Sequence, residues 1–225
     1  MQSIPLNIQG LSVETNRDEG VIKFQYTLKM APAPEKEEFI KLEKWRALFH
    51  KLKMIGEYPI EKVGFGNLSA RLDPETFIIT GTQTGHLPHL EAQHYTKVTD
   101  CNLRKGTVLA RGLIAPSSES LTHHAIYLAS PEIKYVFHIH HALMWNHMIE
   151  KNYDAIAEDI PYGTQEMAAA AIKVINGRNS GAFVMKGHED GIISYGKTAQ
   201  EAGKILLDLY RESSNRWLQV VKFNF

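Results

Sequence analysis

What most constrains this chain is that its apolar residues keep changing period. Over residues 35–55, Phe39, Leu42, Trp45, Phe49 and Leu52 recur at helical spacing, with Gly56 as a stop. Short apolar runs follow in "TFIIT" (residues 76–80, after a turn at Asp73-Pro74), "IKYVFHIH", "GAFVMKG" and "GIISYG". Between them helical patterns return: from about Ser118 to Ala129 with Ser118 as N-cap, over "TQEMAAAAIKVIN" closed by Asn176-Gly177, and over residues 198–221. Strands and helices interleaved in this way predict an α/β layered fold rather than a helical bundle. Upstream, "IQGLSVETNRDEGVIKFQYTLKM" alternates apolar and polar residues around "NRDEG", the pattern of a hairpin or pair of strands, and Pro32 and Pro34 interrupt it. No repeat or linker divides the chain. Residues 1–30 therefore read as an N-terminal β extension and residues 31–225 as a single domain.

Charge and cysteine content narrow the function classes. Lys+Arg and Asp+Glu both number 25, so the net charge is zero, which argues against a nucleic-acid binder. The single Cys101 excludes an internal disulfide and any cysteine-built zinc cluster. A metal would have to be held by His, Asp or Glu. No apolar run approaches the roughly 18 residues of a membrane span. The segment "MQSIPLNIQG" has neither a charged nor an apolar signal region, so a cytoplasmic protein without membrane contact is expected.

The chemistry concentrates in "YVFHIHHALMW", residues 135–145. On a strand, His138 and His140 share a face and His141 points away, so the first two can reach one ion. With 11 histidines in 225 residues, one HxH by chance is close to an even bet. The surroundings add weight: the pair ends an apolar strand, where α/β sheets place ligands, and two unmatched imidazoles there cost desolvation. A third ligand is still needed. His147 falls on the following helix, and His188, in the Gly-flanked loop of "VMKGHEDGIISYG", is better placed. His86, His89 and His94 fit a solvent or interface loop, and of His123 and His124 on one helix at most one can face inwards. By its position alone, Glu119 is a carboxylate favoured at a helix N-terminus. "GNLS" is likewise an ordinary turn and "TGTQTG" a hairpin loop.

Taken together and in order, "GNLSARL", "TGTQTG", "PSSES" followed by "HHAIY", "VFHIHH" and "KGHEDGIISYG" resemble the class II aldolase/adducin family over about residues 37–210. That family includes fuculose-phosphate and rhamnulose-phosphate aldolases, ribulose-phosphate 4-epimerase and methylthioribulose-phosphate dehydratase. The resemblance implies a three-layer α/β/α domain around a mixed or antiparallel sheet. It implies His138, His140 and His188 as ligands of zinc or another divalent metal. Glu119 would be the catalytic acid/base, able to approach the metal when substrate is absent. It also implies an anion site from Asn67, Ser69, Thr80, Gly81, Ser117 and Ser118, whose backbone N–H groups and hydroxyls cradle phosphate. The activity implied is a lyase of carbohydrate metabolism, cleaving a small sugar phosphate or hydroxy-ketone reversibly through a metal-stabilised enediolate. A dehydratase or epimerase is the near alternative, and a non-catalytic adducin-like interaction module the distant one, expected to lack the histidines and the base. Family members are commonly homotetramers in which a neighbour's tyrosine acts as proton donor. Tyr162, Tyr195 and Tyr210 are candidates here, but none sits in a matching motif.

This chain departs from the family pattern in places. Gly64 stands three residues before Asn67, where phosphate-binding aldolases commonly have Thr. The loop "TGTQTGH" is longer than usual, and Glu189 and Asp190 separate His188 from Gly191. The pattern is a retained metal site beside an altered phosphate pocket.

Overall fold

The computed structural model describes residues 19–223, with side chains to residue 214. The first strand among the described residues is β1 (Gln25–Met30), and past Pro32 and Pro34 the chain enters helix α1 (Lys36–Lys51). The helix opens on a capping box between Glu35 and Glu38. It stops four residues before the apolar pattern does, because Lys53 turns into the left-handed region at φ 59°. Met54 and Ile55 still bury as loop residues, and Gly56 opens a strand instead of ending the helix. β2 (Gly56–Tyr58) and β3 (Val63–Phe65) form a small hairpin, followed by β4 (Asn67–Arg71) and β5 (Phe77–Thr80). The expected turn between β4 and β5 is pinned by the Asp73 carboxylate, which accepts from the N–H groups of Glu75 and Thr76 at 2.9 and 2.7 Å.

After a long loop come β6 (Tyr95–Asn102), β7 (Thr107–Gly112), α2 (Ser120–Ala129), β8 (Tyr135–His140), α3 (Ala142–Glu150) and β9 (Ala155–Ile156). The chain ends with α4 (Gln165–Ile175), β10 (Gly181–Met185), β11 (Gly191–Gly196) and α5 (Ala199–Phe223). α2 begins at Ser120, not Ser118, and Glu119 occupies its N-cap position. α4 is capped by Thr164 and closed by Asn176 in the left-handed conformation, as the sequence pattern anticipates. The first arm of the expected "NRDEG" hairpin lies outside the described residues.

Among the described residues nine strands join one sheet in the order β1-β7-β6-β5-β4-β8-β11-β10-β9, parallel only at the β1–β7 and β9–β10 pairs. Its side chains alternate between two cores. Val136 and Ile193 pack with α2 and α4 on one face, and Phe137 and Ile192 pack with α1, α3 and α5 on the other. This is the three-layer α/β/α architecture. The end of β8 is held between two loops: the His140 N–H donates to the Met54 carbonyl at 2.9 Å and the His141 N–H to the Asp190 carbonyl at 3.0 Å. No helix among the described residues is long and apolar enough to cross a membrane.

Candidate metal centre

β8 sits near the middle of the sheet, and the pleat sends His138 and His140 to the face covered by α2 and α4. His138 lies across from Asn67 on β4 and Ile193 on β11, and His140 lies across from Gly191. His188 comes from the turn joining β10 to β11. Gly191 is required there: a Cβ would stand 2.7 Å from the His188 ring and 3.3 Å from that of His138. Any side chain at this position would push two imidazoles apart.

The Nε2 atoms of His138 and His140 are 3.0 Å apart, and those of His140 and His188 are 3.1 Å apart. The three offer one ligand atom each within 4.8 Å of one another, the only such group found among the described residues. All three side chains are buried. Burial, and then the neighbouring His188, holds His138 well below the ordinary imidazole range, so it presents a neutral nitrogen. Tyr58 fixes the ring of His140 through a 3.0 Å hydrogen bond to Nδ1, leaving Nε2 for the centre.

The donor set fits a divalent ion. Ligand bonds of about 2.0–2.2 Å in a tetrahedron put neighbouring ligand atoms about 3.3–3.6 Å apart, close to the separations seen here. Nitrogens converging this tightly have no use for one another beyond a shared proton, whereas a cation satisfies all of them at once.

Glu119, at the start of α2, is 1% exposed, with one carboxylate oxygen 3.2 Å from His138 Nε2 and the other 3.9 Å from His188 Nε2. Asn67 Nδ2 donates to it at 3.3 Å. Burial pushes its carboxyl up to about 7, while the Asn67 hydrogen bond and the charge of Lys23 pull the other way. An acid poised there can take and return a proton near neutral pH.

The proposed anion residues divide. Asn67, Gly81, Ser117 and Ser118 line one small cavity beside Glu119. Ser69 and Thr80 do not reach it. Ser69 is fully buried, its hydroxyl shared between His123 Nδ1 at 2.6 Å and the Tyr127 hydroxyl at 2.7 Å. Thr80 accepts from the Leu68 N–H. The cavity is small, about 20 Å³ against about 280 Å³ for the one bordered by Tyr162 and His188. Gln83 forms part of its wall: its Oε1 accepts from the N–H of Gly64, and its Nε2 donates to the Gly20 carbonyl. A side chain at Gly64 would meet Gln83 and the Gly85 backbone.

Other histidines settle into structural places. His141 caps α3 by accepting from the Met144 N–H and packs edge-on against Tyr210. His123 faces inwards and His124 is half-buried. Of the tyrosines, Tyr195 is buried in the α2/α4 core, whereas Tyr162 packs on the His188 ring at 4.5 Å between centroids. Sequence reasoning missed Tyr58, Gln83 and Glu19. The Glu19 carboxylate stands 3.4 Å from His188 Nε2 and 3.7 Å from His140 Nε2. No motif marks Tyr58 or Glu19, which reach the centre only through the fold; Gln83 lies within "TGTQTG" and lines the neighbouring cavity.

The sequence profile of the class II aldolase and adducin N-terminal domain matches residues 47–211, well over half of the chain. The chain belongs to the class II aldolase/adducin family. Among solved structures it is similar to L-fuculose-1-phosphate aldolase from Thermus thermophilus, with 15% identity, TM-score 0.62, and 84% of this chain and 97% of that one covered. A sugar-phosphate aldolase from Thermotoga maritima gives 16% identity, TM-score 0.64, and 84% and 97% coverage. YgbL from Klebsiella pneumoniae gives 20% identity, TM-score 0.64, and 81% and 89% coverage. Comparison with curated proteins gave no match.

Proposed function

We propose that this chain is a divalent-metal-dependent lyase that cleaves a small sugar phosphate or hydroxy-ketone by a reversible aldol step. His138, His140 and His188 would hold the ion, zinc being the ordinary choice for three imidazoles. The observation that carries the reading is the convergence of three buried imidazole nitrogens with a buried carboxylate 3.2 Å from one of them. When bound, a divalent ion supplies Lewis-acid stabilisation of negative charge developing on adjacent substrate oxygens. Glu119 takes the proton from the substrate and returns it to the carbanionic carbon, and Asn67 holds the carboxylate in place for both transfers. Tyr58 and Tyr162 orient His140 and His188.

The small volume of the cavity beside Glu119 favours the hydroxy-ketone over the sugar phosphate as substrate. A cavity of about 280 Å³ bordered by Lys23, Tyr58, Tyr162 and His188 offers the space that the smaller one lacks. We assign the protein a homotetrameric assembly on the same reading. The test is aldehyde release from matched phosphorylated and unphosphorylated ketoses by metal-reconstituted protein. Release from either substrate, abolished by a chelator and by Glu119→Gln, is expected. Stoichiometric metal without turnover of any substrate would favour an adducin-like interaction module. No stoichiometric metal after reconstitution would remove the site itself.

A further inference from the structure

Glu19 belongs to the segment before β1, outside the residues that the family profile matches, yet its carboxylate is at the metal centre and 8% exposed. We propose that Glu19 is a protein ligand of the ion, supplied by an N-terminal strap, and that the two carboxylates of the site divide their work. Glu19 coordinates, which leaves Glu119 to move protons. The inference rests on the three-histidine reading given above.

Glu19 Oε2 stands beside two of the three nitrogens, 3.4 Å from His188 Nε2 and 3.7 Å from His140 Nε2, near the edge length of about 3.3–3.6 Å between ligand atoms on a tetrahedral ion with bonds of about 2.0–2.2 Å. The two carboxylates approach from different sides: Glu119 beside His138 and His188, Glu19 beside His140 and His188. The strap is fastened rather than draped. The Val21 N–H donates to the Tyr162 hydroxyl at 3.0 Å, the Gly20 carbonyl accepts from Gln83, and Lys23 Nζ sits 3.8 Å above the Tyr162 ring. Gly20, at φ 70°, makes the turn that aims Glu19 inwards. Charge agrees as well: three neutral imidazoles leave the full +2 of the ion, and carboxylates are what such a buried charge needs. Because Glu19 takes the position that a chelating substrate oxygen would need, it has to yield that position during turnover.

The test uses demetallated full-length protein and two ions, Zn²⁺ titrated against a chromophoric chelator and Co²⁺ followed by its visible absorption. Glu19→Gln is expected to weaken Zn²⁺ binding about tenfold or more and to change the Co²⁺ ligand-field bands. Glu19→Ala should do the same, with a thermal midpoint of the metal-free protein close to that of the parent. Zn²⁺ affinity within about twofold of the parent together with an unchanged Co²⁺ spectrum would overturn the assignment of Glu19 alone. A parent protein that binds neither ion would overturn Glu19 and the three-histidine site together. A weaker affinity with unchanged Co²⁺ bands also overturns it, because it would mean that the strap shields the site without touching the ion.

Discussion

On one face of the sheet His138, His140 and His188 point nitrogen at nitrogen; on the other, Arg46, Glu43 and Tyr95 point donor at acceptor. The second cluster is as buried as the first. Tyr95 donates to Glu43 Oε2 at 2.8 Å, the Leu90 N–H donates to Oε1 at 3.1 Å, and Arg46 donates to the Thr84 and Gly85 carbonyls. Burial pulls the Arg46 guanidinium down, with Glu43 opposing, and pushes the Tyr95 phenol up. Its contacts run between complementary groups and hold the 81–90 loop from behind, leaving only Arg46 Nη1 in this cluster without a partner. Burial of charge therefore does not mark a site. What marks one is a convergence of like groups that only a further atom can reconcile.

Substitutions can break or sharpen this contrast. His188→Ala should lower Zn²⁺ affinity by more than the roughly 100-fold reached when an outer partner of a ligand is lost. It should also abolish the rise in thermal midpoint that added Zn²⁺ gives the parent. Glu119→Gln should keep stoichiometric metal and cost about 10²–10⁴-fold in the rate of aldehyde release. Arg46→Ala should cost about 1–3 kcal/mol in urea unfolding, because it strands the buried Thr84 and Gly85 carbonyls, and leave Zn²⁺ affinity at the parent value. If that affinity falls as far as in His188→Ala, the two clusters are one cooperative unit and the contrast collapses. The smallest effect belongs to Tyr58→Phe, which removes only the hydroxyl on His140 Nδ1. About tenfold weaker Zn²⁺ binding is expected, measured by the same chelator competition.

Much of this was legible from residues alone, and the gaps have physical causes. Helices with chemical punctuation, such as Thr164 and Asn176-Gly177 around α4, fall where the pattern places them. The hairpin β6–β7 escaped because a register shift between Val98 and Asp100 breaks the period of two that marks a strand. β2 and β9 are too short to show any period. At the site, the histidines and Glu119 sit in ordered motifs, and the structure brings them together. The anion residues were only partly legible, because which donors share a cavity depends on how β4, β5 and the loop before α2 pack, and Ser69 and Thr80 turn into other contacts. Glu19 lay in "NRDEG", a run whose composition reads as a solvated turn. Its place at the centre is set by where β1 joins the sheet, which no local pattern records.

That junction has a consequence for affinity. β1 is laddered to β7 from Gln25 onward, six positions beyond Glu19. A tether this short keeps the carboxylate within about 20 Å of its anchor. Its local concentration at the ion is then on the order of millimolar before any of the strap contacts are counted. Free carboxylates such as acetate would have to exceed that level to compete. A substrate that displaces Glu19 can do so with two oxygens at once, so the strap acts as a threshold that admits chelators and turns away single-point ligands.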